Sequence, residues 1–446
     1  MSSMLNTISG LPLYMADLNI PKTNAERILI LGGGFAGLNL AKALKNKGKQ
    51  VVMLDKHNYH TFQPLLYQVA TAGLEPDSIA YPIRNIFKDY PNFYFRMAKA
   101  ERIEAENNIL HTNIGPISYD KLVIATGSET NYFGMEEVEQ KSMPMKTVPE
   151  ALNLRSLILQ NFEAASLTVD LKERERLMNF VIVGGGPTGT ELAGAFAELK
   201  SHVLPNDYPD LDFRRMSIHL VEMADKVLPP MSKFSSSHAL KYLKKLGVQV
   251  WLNTAVKGYD GKTVSTNKSE LPASTLIWAA GVKGNIIEGL KEKEDFDKGR
   301  YIVNEFNQIG PHQNIFALGD VAGMNTKDFP KGHPMLAQVA IQQGQNLAKN
   351  LIRSDKGKSF RPFKYNDLGS MATVGRNKAV AELYNKIMLK GFPGWAVWML
   401  VHLLSLVGFR NRLVVLLNWF VNYFSYDRKI RLIIRPFENQ FLKNSK

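Results

Sequence analysis

The sequence predicts an α/β fold with two Rossmann-like domains and a C-terminal helical segment. Three observations carry that prediction. Glycines at 32, 34 and 37 follow four apolar residues, 28–31, and lead into a helical pattern. The same strand, glycine turn and helix recur from Asn179, with glycines at 184, 186 and 189. The end of the chain carries two apolar runs followed by basic residues.

The first turn fits G-x-G-x-x-G. Residues 28–31 read as a buried parallel strand. Gly32 permits a tight turn, Gly34 lets a pyrophosphate approach the backbone, and Gly37 lets helix and strand pack closely. Phosphates would sit at the helix N-terminus, where free N–H groups and the dipole favour negative charge. A second strand, 50–55, ends in Asp55, about 20 residues past the glycines, where a ribose hydroxyl needs an acceptor.

With 446 residues the chain is too long for one ordinary domain, and 45% apolar content is enough for real cores. The absence of cysteine excludes disulfides, thiolate metal sites and electron relay through a dithiol. A net charge of +14 implies an anionic partner, either nucleic acid or an acidic membrane surface. Residues 1–26 show neither a signal peptide nor an Arg-rich presequence and read as a loose arm.

After Asp55 a mixed aromatic and polar loop begins at Lys56 and turns helical; Pro64 rules out a strand interior there. His57 and His60 lack companion ligands, so they read as packing or capping residues, and no metal is expected. Residues 93–117 read as a small antiparallel meander. The stretch 119–127 is a buried strand ending in Ala125, Thr126 and Gly127, small residues that let a nucleotide lie close to the backbone. A long helical pattern spans 150–178.

The second turn, Gly184, Gly186 and Gly189, opens a helix through Thr190 and Glu191. Its acid is Glu222, set back by a Pro- and Asp-rich insertion at 200–215. Glu222 can accept from a ribose 2′-OH and would repel a 2′-phosphate, which favours NADH over NADPH. Two complete turns imply two dinucleotides, and flavin with nicotinamide is the pair that exchanges hydride. Strands at 248–252 and 275–281 follow, the latter ending in Ala280 and Gly281 as 122–127 ends in Gly127. A buried strand at 314–322 carries Gly319, which allows close approach of a ligand, and Asp320, which can accept from a ribityl hydroxyl. Residues 334–351 read as one helix on which Gln338 and Gln342 share a face.

In the tail, 392–407 and 413–424 are nearly uncharged, and Arg428, Lys429, Arg431 and Arg435 follow them. Each run is short of the roughly 20 residues that cross a bilayer. Trp395, Trp398, Trp419 and Tyr423 suit an interface belt, and the cations suit anionic headgroups. A monotopic, membrane-associating anchor is the preferred reading. A buried helix pair in a dimer and a single marginal span at 392–409 are the alternatives.

With these residues on the page, the chain resembles the type II NADH dehydrogenases, the single-subunit NADH:quinone oxidoreductases of bacterial respiratory chains. The most specific matches are the loop from Asp55 through Pro64 to Ala72, the stretch Ala337-Gln-Val-Ala-Ile-Gln342, and the apolar tail. The resemblance implies non-covalent FAD in the first Rossmann domain, touching Lys56, Pro64, Ala337 and Gln338 besides the residues above, and NADH in the second. It implies that Gln338 and Gln342 stand at a quinone tunnel, that Glu191 lies between nicotinamide and flavin, and that Lys378 belongs to the site. The implied domains are 1–145 and 276–365 for FAD, 146–275 for NADH, and 366–446 for the anchor. Menaquinone or ubiquinone, an anionic bilayer and a second copy of the chain are the expected partners, at the cytoplasmic face of a bacterial inner membrane. No proton pumping and no nucleic-acid binding are expected. The rival is a soluble flavoprotein reductase that passes electrons from NAD(P)H to a ferredoxin-type acceptor.

Overall fold

A computed structural model describes residues 16–290, 296–297, 299–384, 386–425 and 431–438. The chain divides into two compact units, each assembled from three stretches. Residues 1–60, 81–129 and 282–366 form the first unit; 61–80, 130–281 and 367–446 form the second.

The first unit is built on a five-stranded parallel sheet. Its order is Ile315–Ala317, Lys121–Ile124, Arg27–Leu31, Gln50–Asp55, Phe93–Met97. All five residues of Arg27–Leu31 are buried, as a strand covered on both faces requires. Phe35–Ala43 packs beside Ala337–Ser354, and Gly344 makes this approach possible: a Cβ there would stand 2.6 Å from the carbonyl oxygen of Ala36. Phe93–Met97, expected as part of the meander, is instead the outer parallel strand, paired Val51↔Phe93 to Asp55↔Met97. The antiparallel meander consists of Ala100–Glu104, Ile109–Thr112 and Gly115–Ser118.

The second unit repeats the plan in the order Met143–Pro144, Thr275–Trp278, Phe180–Val183, Ile218–Val221, Gln249–Trp251, all parallel. The helical pattern at 150–178 divides into Val148–Leu167, opened by a Thr147/Glu150 capping box, and Leu171–Met178, capped by Asp170. A feature not anticipated from the sequence precedes the apolar tail. Gly369–Thr373, Ala379–Leu383 and Ile387–Lys390 form an antiparallel sheet that carries the helix Gly391–Ser405. That helix has 15 residues and the next, Phe409–Ser425, has 17, with a break at 406–408. Among the described residues no helix is long and apolar enough to cross a membrane. Arg428 and Lys429 lie outside the described residues.

Candidate active site

The first glycine turn has the shape its spacing predicts. Gly32 adopts φ +105°, and a Cβ there would stand 2.3 Å from the Ala125 carbonyl oxygen. A Cβ at Gly37 would stand 2.0 Å from the Gly32 carbonyl oxygen, so only glycine lets helix and turn close. At Gly34 a Cβ would meet nothing within 4 Å, and no side chain caps the helix that begins at Phe35. The result is an open cradle of backbone N–H groups, which fits a pyrophosphate. Asp55 holds the turn: its Oδ2 accepts from Gly33 N at 2.7 Å and its Oδ1 from His57 N at 2.7 Å. Buried His60 braces the other side, with Nδ1 2.8 Å from the Gly33 carbonyl oxygen. A carbonyl only accepts, so Nδ1 carries the hydrogen. Burial pushes the His60 pKa down to about 4, and the ring is neutral at pH 7.

Other expected residues of this unit gather on the same sheet edge. Thr126 Oγ1 donates to the Asn285 carbonyl at 2.6 Å, and Gly127 O accepts from Asn285 N at 3.0 Å. Ser128 Oγ donates to Asp320 Oδ2 at 2.5 Å. Gly319 adopts φ +72°, and a Cβ there would stand 3.1 Å from Ala340 Cβ and 3.7 Å from Ala36 Cβ, so it sits beside both the first turn's helix and the helix Ala337–Ser354. Lys56 is exposed, and Pro64 belongs to the other unit, at the start of a short 3-10 helix.

On that helix Gln338 and Gln342 are half-buried. The Gln342 amide is engaged at both ends with Asn366: Nε2 donates to its carbonyl at 2.8 Å and Oε1 accepts from its N–H at 2.9 Å. The glutamine aimed into the protein is Gln343, which helical spacing did not single out. It is 0% exposed, and its Oε1 accepts from Gly319 N at 2.7 Å, while its Nε2 has no partner among the described residues. An orphaned buried amide donor beside an open cradle suits a bound polar group.

The second turn has the same geometry. Gly184 adopts φ +106°, and a Cβ there would stand 2.6 Å from the Ala279 carbonyl oxygen; at Gly189 the corresponding oxygen, of Gly184, would be 1.9 Å away. Gly186 opens on free space. Glu222 grips this turn as Asp55 grips the first, accepting from Gly185 N at 2.6 Å and Ala224 N at 2.7 Å. Thr190 is wholly buried and donates to the Gly185 carbonyl at 3.2 Å, so it buttresses the turn from behind. Ala280 is half-buried, and Gly281 is exposed at φ +85°, with Phe133 packed where its Cβ would be.

Glu191 follows on the same helix. It is 7% exposed, and burial pushes its carboxyl up to about 8, against hydrogen bonds from Thr373 N (3.3 Å) and Trp398 Nε1 (3.2 Å), both to Oε1. It borders a cavity of about 120 Å³ lined also by Tyr67, Trp395, Trp398, Trp419 and Tyr423. Trp398 and Trp419, expected in an interface belt, are buried at 2% and 9% exposure. Their indole N–H groups have inward partners, Glu191 for Trp398 and Gln68 Oε1 at 2.8 Å for Trp419, which is how a buried tryptophan is satisfied. The tail's outer face is instead Leu413, Leu416, Leu417, Phe420, Val421 and Phe424, all exposed at helical spacing. Lys378 does not line the cavity; its Nζ reaches the Arg376 carbonyl at 3.3 Å.

Comparison with known proteins places this geometry. Residues 26–344 match the pyridine nucleotide-disulphide oxidoreductase family, and residues 368–426 match the NDH2 C-terminal domain. The type II NADH:quinone oxidoreductase NdhA of Mycobacterium tuberculosis is 34% identical over 421 residues, covering 90% of this chain and 88% of that protein. That of Staphylococcus aureus is 29% identical over 371 residues, 81% and 90% of the two chains. The fold of NDH2 from Plasmodium falciparum, solved with NADH, superposes with a TM-score of 0.85 at 22% identity, over 92% of this chain and 100% of that one. The chain belongs to the pyridine nucleotide-disulphide oxidoreductase family and, within it, to the type II NADH:quinone oxidoreductases.

Proposed function

We propose that the protein oxidises NADH at a non-covalently bound FAD and passes two electrons to a membrane quinone without pumping protons. The observation that carries this reading is the pair of complete dinucleotide cradles in one chain that has no cysteine. Each cradle accommodates a dinucleotide, and the sequence has no thiol to take the electrons elsewhere. When bound, the flavin would supply the redox chemistry between NADH and the quinone.

The chain's own residues bind and orient. The amides around Gly34 receive the FAD pyrophosphate, and Asp55, already holding Gly33, offers its remaining lone pairs to the ribose. Gly319 and Asp320 line the same cofactor, and Gln343 aims its unpaired Nε2 from behind Gly319. The cradle at Gly186 receives NADH, and Glu222 accepts from its ribose. Glu191, protonated at neutral pH by burial, orients the nicotinamide and keeps a proton in the cavity. Gln338 and Gln342 border the quinone path, with Gln342 also pinning the chain at Asn366. Lys378 serves the site through the turn 374–378 rather than by contact.

By the domain bounds expected from the sequence, 1–145 with 276–365 would carry FAD, 146–275 would carry NADH, and 366–446 would meet the membrane. The apolar stripe from Leu413 to Phe424 enters one leaflet of an anionic bilayer, at the cytoplasmic face of a bacterial inner membrane. A soluble ferredoxin reductase has no use for such a stripe. The protein works as a homodimer, which the mass of the detergent-solubilised protein tests. Steady-state NADH oxidation with a short-chain quinone by flavin-loaded protein tests the function. A quinone-dependent rate supports it, and a rate only with a ferredoxin replaces it by the rival.

A further inference from the structure

We propose that Trp398 is a positioning residue for Glu191, its indole N–H selecting which carboxyl oxygen holds the proton. The apolar helix Gly391–Ser405 is then part of the acid's site as well as part of the membrane-facing tail. The inference rests on the proposed role of Glu191.

Both hydrogen bonds to Glu191, from Trp398 Nε1 and Thr373 N, arrive at Oε1. A carboxyl oxygen that accepts two N–H groups is a poor place for its own hydrogen. The proton is left to Oε2, and Glu191 borders the cavity. One of the donors, Thr373 N, is backbone and stays in every variant. The other is a side chain delivered by the tail.

Trp398 is held so that it cannot swing away. Its ring stacks on His402 at 4.1 Å and 24°, and the Trp419 ring lies 5.7 Å off. His402 Nδ1 donates to the Trp398 carbonyl at 2.7 Å, and burial keeps that imidazole neutral, its pKa pushed down to about 4. The helix seats on its own sheet at Gly394, where a Cβ would stand 3.0 Å from the Ala379 carbonyl oxygen. The other titratable and charged groups around the cavity are Tyr67, Glu198, Arg376 and Tyr423. Glu198 accepts from Arg376 N, and the Arg376 guanidinium lies 4.8 Å over the Tyr423 ring. Among the described residues the Glu191 carboxyl accepts from Thr373 N and from the Trp398 indole, so the indole is the side-chain donor that sets its hydrogen-bonding pattern there.

The test is the pH profile of NADH:quinone turnover in the flavin-loaded protein, for the wild type, Glu191→Gln and Trp398→Phe. Phenylalanine keeps an aromatic ring between His402 and Trp419 but has no N–H. The inflection lost in Glu191→Gln should move to higher pH in Trp398→Phe, because a donor that favours the ionised carboxyl has gone. Turnover should fall about tenfold, the usual worth of one such bond, with the NADH KM within twofold. Should Trp398→Phe not fold, benzothienylalanine incorporated at 398 keeps the bicyclic shape without the N–H. An inflection lost in Glu191→Gln but unmoved without the N–H overturns the positioning role alone. An inflection that persists in Glu191→Gln overturns the role of Glu191 and this inference with it.

Discussion

Replacing Glu222 tests the nicotinamide site most sharply. Its carboxylate makes two bonds to backbone N–H groups, at 2.6 and 2.7 Å, and Gly185, which donates one of them, is buried. Glu222→Ala leaves that N–H unpaired, at a cost of about 1–3 kcal/mol, and removes the proposed acceptor for the NADH ribose, about 1.5–3 kcal/mol for a bond to a charged group. The second quantity is felt directly in binding and corresponds to a roughly 10- to 100-fold weaker grip on NADH. Glu222→Gln separates the effects. Its amide oxygen can keep one backbone bond, yet the charge that repels a 2′-phosphate is gone, so the NADPH/NADH preference should rise without an equal loss of stability. The assay is steady-state kinetics with both nucleotides at saturating quinone. Glu222→Ala with an NADH KM within twofold of wild type and an unchanged NADPH preference would refute the reasoning.

Three further outcomes follow from single contacts. Gln343→Leu strands the buried Gly319 N–H and should cost about 1–3 kcal/mol, read as a lower Tm and weaker flavin retention on gel filtration. Gly37→Ala places a methyl 2.0 Å from the Gly32 carbonyl oxygen, so the first turn must open; purified protein should lack flavin yet still bind NADH, as equilibrium dialysis would show. Glu191 ionises near pH 8 when folded and near 4.5 when unfolded, so between those values the native state holds more protons. Stability should therefore fall as pH rises from 4.5 to 8, and denaturant titrations of Glu191→Gln should lack that part of the slope.

The glycine turns were legible because their spacing is a steric rule, and Gly32, Gly37, Gly184 and Gly189 are crowded as that rule requires. Asp55 and Glu222 stand at the strand ends where the sequence puts them, and there each holds an amide of its turn. What the sequence hid depends on contacts between distant segments. Periodicity put Gln338 and Gln342 on one face, but only the packing of Ala337–Ser354 against Phe35–Ala43 shows that Gln343 points inward. Composition marked Trp398 and Trp419 as interface residues; their burial depends on Glu191 and Gln68, far away in the chain. Phe93–Met97 has the same aromatic alternation as a meander strand, and its parallel partner at 50–55 decides otherwise.

The absorption spectrum of the purified protein tests the central claim most directly. The proposed function predicts a flavin band that NADH bleaches without oxygen and that a soluble quinone restores, with one NADH consumed per quinone reduced. A chain that retains no flavin, or a band that NADH bleaches and quinone fails to restore, would contradict it.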